Sequence, residues 1–207
     1  MDATQHPHPR VRQTRGEEKR RRILIAAQDL LQDRGMSAVT HRAVATLAGV
    51  PTSSIRYYFS SREDLLLACL DDFEERRTET VTKVLAEEPT REIFPRDFLR
   101  VWIGPHLDDE SLVAALSIYV DSLRESPLIA ERLRHHRLSA EADLAALCQS
   151  CGMTDLDLRL ATAVCDGVVI GAGLERLEGV ADLAMRALQG FLRSFREDYA
   201  LSREDTA

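Results

Sequence analysis

The sequence has no apolar run long enough to cross a membrane. Uncharged segments such as Leu112–Val120 are far shorter than the roughly 20 residues that a membrane-spanning helix needs. Residues 1 to 22 contain Arg, His, Pro and Glu but no apolar stretch of a secretory signal peptide. Of the 207 residues, 44% are hydrophobic and 29% are charged, as in ordinary globular proteins. We therefore expect a cytoplasmic protein with no membrane partner.

Cysteine is scarce as well, with four residues in the chain. That number in a chain of this size does not make a disulfide framework, so the thiols are expected to be small, buried hydrophobic groups. Cys148 and Cys151 nevertheless have C-x-x-C spacing, and His135, His136 and Cys165 could join them in a metal or redox sensor. We predict no metal and no cofactor, and the thiol sensor stays open as an alternative.

The motifs of common catalytic sites are also missing. The sequence has no phosphate-binding glycine loop, no H-E-x-x-H and no G-x-S-x-G. His106 with Asp108 or Asp109 could form an acid–base pair, which is the remaining catalytic alternative. We predict that the protein is not an enzyme.

Charge is distributed unevenly along the chain. The net charge is −7 overall, but residues 1–62 carry +6 and residues 63–207 carry −13. This asymmetry indicates a small basic domain joined to a larger acidic one. Both ends of the chain are polar and have no apolar period. We therefore predict four parts: a flexible basic tail (1–16), a basic domain (17–62), an acidic domain (63–201) and a frayed tail (202–207).

The basic domain has the pattern of a helix-turn-helix. Apolar residues at helical spacing from Ile23 predict a first helix that ends at Gly35. Thr40 can cap a short helix, and Gly49 permits a tight turn before a second short helix. Two short helices joined by such a turn form a helix-turn-helix.

The rest of the chain also shows helical periodicity and no useful strand pattern. Ser61 to Asp64 match a capping box, which opens a long fourth helix. Further apolar faces are separated by Pro and Gly residues up to about Tyr199. We predict an all-α protein of about nine helices, the first three of which form the N-terminal domain.

The segment VTHRAVATLAGVPTSSIRYYF, residues 39–59, and the following SREDLL, residues 61–66, resemble the DNA-binding domain of the tetracycline-repressor-like (TetR) family of bacterial regulators. The similarity covers roughly residues 17 to 70. It implies a sequence-specific transcriptional regulator, most often a homodimeric repressor that binds double-stranded DNA at an inverted-repeat operator and is released by a small-molecule ligand. It also implies that the acidic domain binds the ligand and dimerises, with the last two helices packed in a four-helix bundle. Gly171 and Gly173 fit such close packing, and equally fit loose spots in a core helix.

The expected DNA contacts follow from the way a helix-turn-helix docks. Its second helix enters the major groove, so Thr52, Ser53 and Arg56 are expected to face bases. The resemblance implies that Arg42 reaches a further base and that phosphates are contacted by Thr40, His41, Tyr57, Tyr58 and Arg62. A helical interaction protein that has lost DNA binding is a third alternative, disfavoured because Arg42, Arg56 and Arg62 are all present.

An aromatic and polar mixture marks the expected effector pocket of the acidic domain. We predict that the small-molecule ligand is contacted by Phe98, Trp102, His106 and Tyr119. Residues 63–207 include 29 acidic residues, so a cationic ligand is one option. Acidic side chains on a protein surface, however, commonly serve solubility.

Overall fold

A computed structural model describes the backbone of residues 9–87 and 94–204 and the side chains of residues 15–87 and 94–194. Over these residues the protein consists of nine α-helices and one short 3-10 turn, which confirms the predicted all-α class. None of the described helices is long and apolar enough to cross a membrane. The chain forms two compact units, Met1–Cys69 and Leu70–Ala207.

The first unit contains α1 (Pro9–Arg34), the 3-10 turn (Met36–Ala38), α2 (His41–Ala48), α3 (Thr52–Tyr58) and the start of α4 (Arg62–Ala86). Helix α1 begins before the predicted limit, so residues 9–16 of the expected tail are helical, whereas residues 1–8 lie outside the described part. Its core is made by fully buried side chains of each element, among them Ile23, Leu31, Met36, Val44, Ile55 and Leu65.

The second unit continues with α5 (Phe94–Trp102), α6 (Asp109–Ser122), α7 (Pro127–Ser150), α8 (Leu158–Glu175) and α9 (Val180–Glu204). Residues 202–204 of the expected frayed tail are therefore helical, and residues 205–207 lie outside the described part. Helices α8 and α9 pack along each other, and the core between the five helices buries Phe94, Phe98, Leu99, Leu112, Leu144, Cys165 and Leu188.

A buried arginine joins three helices of this unit. Arg77 on α4, with a side chain only 5% exposed, donates to both carboxylate oxygens of Glu74 at 2.8 and 2.7 Å. It also donates to the Val101 carbonyl oxygen at the end of α5 at 3.0 Å, and to Ser139 and Asp143 on α7 at 3.2 and 2.8 Å. Because both carboxylates are close, the buried guanidinium is compensated and fixes α4 against α5 and α7.

Candidate nucleic-acid interface and ligand site

The turn between α2 and α3 is built by local signals in the sequence. The Thr40 side chain accepts a hydrogen bond from the Ala43 N–H at 3.1 Å, which caps the start of α2. Gly49 takes a left-handed conformation with φ 63°, and the N–H groups of Gly49 and Val50 donate to the carbonyl oxygens of Thr46 and Ala45. These two bonds form a Schellman motif, which ends α2 and turns the chain into α3.

Helix α3 buries one residue and presents a polar face to solvent. Ile55 is fully buried, whereas Thr52, Ser53 and Arg56 are exposed. The Arg56 guanidinium makes no hydrogen bond or ion pair with any described residue. The first turns of α3 therefore offer two hydroxyl groups and a free guanidinium on one short helix.

The remaining predicted DNA contacts lie around this helix with different degrees of exposure. Tyr57 is 82% exposed, which is unusual for an aromatic side chain without a partner molecule. Tyr58 is half-buried and meets the Tyr57 ring edge-on, with ring centroids 5.0 Å apart. Arg42 is exposed at the start of α2, and His41 is half-buried with a shielded Nε2 that has no hydrogen-bond partner among the described atoms.

Arg62 has a different position from the one expected of a phosphate contact. Its Nε donates to the Val39 carbonyl oxygen at 2.9 Å, and its Nη2 donates to the Met36 carbonyl oxygen at 2.6 Å. Both acceptors belong to fully buried residues in the segment that leads into α2. These bonds give Arg62 a structural role, since they fix the start of α2 from the first turn of α4, and its predicted phosphate contact stays a prediction.

Two arginines of the basic cluster Lys19–Arg22 on α1 also pack inside the first unit. Arg22 donates to the Ala48 carbonyl oxygen at 3.2 Å, close to the turn that follows α2. The Arg20 guanidinium lies 5.1 Å from the centre of the Phe59 ring, which is a cation–π contact. These contacts give part of the cluster a role in folding.

In the second unit, the structure brings two of the four predicted ligand contacts together. Trp102 Nε1 donates to Asp166 Oδ1 at 2.8 Å, and Arg137 Nη2 donates to Asp166 Oδ2 at 2.7 Å. The Arg137 guanidinium carbon lies 4.4 Å from the centre of the Trp102 ring and 5.8 Å from that of Tyr119. Burial raises the pKa of the Tyr119 hydroxyl to about 12, so this group stays neutral.

The other two predicted contacts differ in burial. Phe98 is fully buried beside Phe94, with ring centroids 5.8 Å apart, so it is a core residue. His106 is exposed in the loop between α5 and α6. The loop after Gly104 has no helical period, so the sequence does not show where the His106 side chain lies.

The two carboxylates of the acid–base alternative at His106 also have structural roles. Asp108 accepts a hydrogen bond from the Ser111 N–H at 2.9 Å and caps α6, and this bond lowers its pKa. Asp109 accepts bonds from the Gly179 and Val180 N–H groups, both at 2.7 Å. Both carboxylates thus serve helix starts, and the interaction with His106 also contributes to the lowered pKa of Asp108, so the acid–base pair stays an alternative.

The burial of the cysteines does not favour the alternative of a thiol sensor. Burial raises the pKa values of Cys148 and Cys165 to about 12, so both are held as unreactive thiols. His136 faces Asp71 rather than the cysteines, with Nε2 3.7 Å from Oδ1, and burial lowers its pKa. Among the described residues no group of three His, Cys, Asp or Glu side chains could hold a metal ion.

An apolar groove runs between α6 and α8. A Cβ on Gly173 would lie 3.2 Å from both methyl carbons of Val113, so this glycine lets α8 approach α6 within the chain. A Cβ on Gly171 would meet nothing within 4 Å. The groove is lined by Val113, Leu116, Ser117, Val120, Asp121, Val169, Ile170, Gly173 and Leu174.

Sequence reasoning missed Arg137 and Asp166. Arg137 is one of several charged residues on α7, and the two residues lie 35 and 64 positions after Trp102 in the sequence, so no local signal joins them. Their shared role follows only from the packing of α5, α7 and α8.

Comparison with known proteins agrees with this architecture. Residues 23–69 match the family model described as "Bacterial regulatory proteins, tetR family". The chain is 42% identical over 55 residues to the HTH-type transcriptional dual regulator CecR of Shigella flexneri, which covers 27% of this chain and 24% of that protein. The matched segment thus spans about a quarter of the curated relative.

Solved structures extend the similarity to most of the chain. A member of the TetR family from Streptomyces coelicolor A3 has 26% identity and a TM-score of 0.60, covering 83% of this chain and 96% of the other. The multidrug binding protein EbrR in complex with malachite green gives the same identity and coverage with a TM-score of 0.61. The helix-turn-helix unit of this chain therefore belongs to the tetR family of bacterial regulatory proteins, and the chain as a whole has the fold of that family's solved members.

Proposed function

We propose that the protein is a sequence-specific DNA-binding transcriptional regulator that reads the major groove with α3. The observation that carries this proposal is the N-terminal half of α3, where Thr52, Ser53 and Arg56 are exposed on a helix anchored by the buried Ile55. The N-terminal residues of a recognition helix are the ones that meet base edges. No other requirement of the fold explains a free arginine at this position.

Arg56 is the principal base contact in this proposal. A guanidinium can donate to O6 and N7 of guanine at the same time, which discriminates against other bases by about 1–3 kcal/mol. Arg42, exposed at the start of α2, reaches a further base. The exposed or half-buried groups that surround α3 contact phosphates and fix the register, namely Thr40, His41, Tyr57 and Tyr58.

The regulator acts as a homodimer in which the partner copy packs on α8. Leu174 on α8 is 81% exposed and Leu123 after α6 is 82% exposed, and Ile170 and Val120 lie beside them. In the described part of α9, residues 180–194, the large apolar side chains are buried or half-buried. An isologous contact through α8 and the edge of α6 covers the apolar groove, and the two-fold symmetry of such a dimer matches an inverted-repeat operator.

The second unit binds a small-molecule effector that releases the protein from its operator. The protein is therefore a repressor, which works in the cytoplasm by binding and not by catalysis. Support comes from the similar EbrR structure, which holds malachite green. Helix α4 runs without interruption from the first unit into the second, so it can transmit a change between them. For release, the effector must bind the conformation that does not fit the operator better than the one that does.

Selection from a pool of random duplex DNA tests the proposal. Purified protein should enrich an inverted repeat. The selection is done at one roughly physiological salt concentration, because affinity and specificity for DNA depend on salt. The Arg56→Ala variant should enrich a consensus that is relaxed at one position in each half-site. Arg134 on α7, paired with Glu131 on an exposed surface, provides the matched control, and Arg134→Ala should select the wild-type sequence. Failure of the wild-type protein to enrich any sequence would contradict the proposal.

Leu174→Asp tests the dimer. A carboxylate on the proposed contact should yield a monomer of unchanged helical content in light scattering and circular dichroism, with a large loss of operator affinity. A dimer of wild-type stability would place the partner copy elsewhere.

A further inference from the structure

The cluster around Arg137 has the parts of a cation-binding cage. Two aromatic rings, Trp102 and Tyr119, lie against one guanidinium, and the carboxylate of Asp166 accepts a hydrogen bond from it. Rings and a carboxylate around one positive group are what proteins use to bind organic cations. Here the cation inside the cage is a side chain of the protein itself.

The Asp166 carboxylate has a hydrogen-bond donor besides Arg137. Trp102 is 4% exposed, and its indole N–H holds Asp166 Oδ1 independently of the arginine. The Arg137 side chain is 34% exposed and reaches the carboxylate from α7. The arginine can therefore turn into solvent while Trp102 keeps the carboxylate oriented.

The local charge favours a positive replacement. Around Tyr119 lie Glu74 and Asp166 as carboxylates and Arg77 and Arg137 as cations, and Arg77 is already paired with Glu74 and with the further carboxylate of Asp143. Three carboxylates thus face two guanidinium groups. If Arg137 leaves without replacement, the buried side of the cage has two negative charges in excess, which a bound cation offsets.

We propose that Trp102, Tyr119 and Asp166 form a subsite for an organic cation, such as an amine, a quaternary ammonium or a delocalised aromatic cation, which displaces Arg137. The inference names the effector class of the regulator proposed above and rests on that proposal for the consequence of binding. An anion is disfavoured, because the Arg137 guanidinium is already paired with Asp166 and the indole N–H is already donated.

The only tryptophan of the chain is part of the cage, so its fluorescence reports occupancy. Choline serves as the cationic probe and 3,3-dimethylbutan-1-ol as its uncharged isostere. Arg137→Ala removes the resident competitor and should bind choline about tenfold or more tightly than the wild type. Asp166→Asn should bind it about tenfold or more weakly, and Arg134→Ala should match the wild type.

Two results would overturn the subsite. One is equal affinity of Arg137→Ala for choline and for the alcohol, since a plain apolar cavity does not distinguish them. The other is an absence of any choline-dependent change in Trp102 emission in that variant. Both comparisons use Arg137→Ala, so they remain decisive if Asp166→Asn fails to fold.

The DNA selection on the same preparations separates this inference from the proposed function. Enrichment of an operator without choline binding would reject the subsite and leave the regulator. Choline binding without enrichment of any duplex would reject the DNA proposal and leave the cation site. When both hold, choline should weaken operator binding by Arg137→Ala more than by the wild type.

Discussion

Replacing Arg62 by alanine should loosen the start of α2. The change removes two hydrogen bonds from a charged donor to carbonyl oxygens, at 2.9 and 2.6 Å, and leaves both acceptors without that partner. Each such bond contributes about 1.5–3 kcal/mol, and the acceptors belong to the fully buried residues Val39 and Met36. We expect a loss of about 3 kcal/mol in the local opening free energy.

Hydrogen exchange of the α2 amides measures this loss. Roughly 3 kcal/mol corresponds to about a hundredfold faster exchange for the amides of Val44 and Ala45. Arg62→Lys should show most of the same effect, because an ammonium keeps the charge but cannot reach both carbonyl oxygens as a planar fork does. The salt dependence of DNA binding, measured on protein that is still folded, should be unchanged in Arg62→Ala.

The opposite outcome would restore the phosphate contact that the sequence suggests for Arg62. In that case Arg62→Ala would exchange at the wild-type rate, and the slope of log affinity against log salt would fall by about 0.9. The two measurements therefore distinguish a structural arginine from a DNA contact.

Further predictions concern two substitutions, the labelling of thiols and the pH dependence of stability. Arg56→Ala should lose about 1–3 kcal/mol of discrimination at one operator position, seen as equal binding of operators that differ there. Arg77→Met should destabilise the second unit by about 3 kcal/mol in urea denaturation followed by tryptophan fluorescence, because two carboxylates lose their shared partner, whereas Arg134→Ala should have no measurable effect. Native protein at pH 8 should leave Cys148 and Cys165 unlabelled by iodoacetamide. Their raised pKa values further predict that stability falls as the pH rises from about 9 towards about 12, since the thiols ionise first in the unfolded chain.

The helix-turn-helix could be predicted because its determinants are local. Thr40 caps the helix that follows it, Gly49 supplies the left-handed residue, and Ile55 has the apolar spacing that buries one face of α3. Each of these signals acts within about four residues, which is the range that helical periodicity and capping rules cover.

The failures of the sequence analysis concern contacts between distant residues. Arg62 bonds to carbonyl groups 23 and 26 residues earlier, and no pattern shows that a surface arginine will turn inward. Trp102 was found from its aromatic character, but Asp166 lies 64 residues later and is identified only by the packing of α5 against α8. The position of His106 has no local signal either, because it lies in the loop after Gly104, where helical periodicity is no guide.

The central claim is that this chain recognises a DNA sequence through α3. Its most direct test is the affinity of the wild-type protein for the selected operator and for a scrambled duplex of the same composition, at one fixed salt concentration. A sequence-specific regulator should prefer the operator by about 10³-fold or more. Equal affinity for the two duplexes, with the same salt dependence, would show that the basic unit binds DNA only by charge and would contradict the claim.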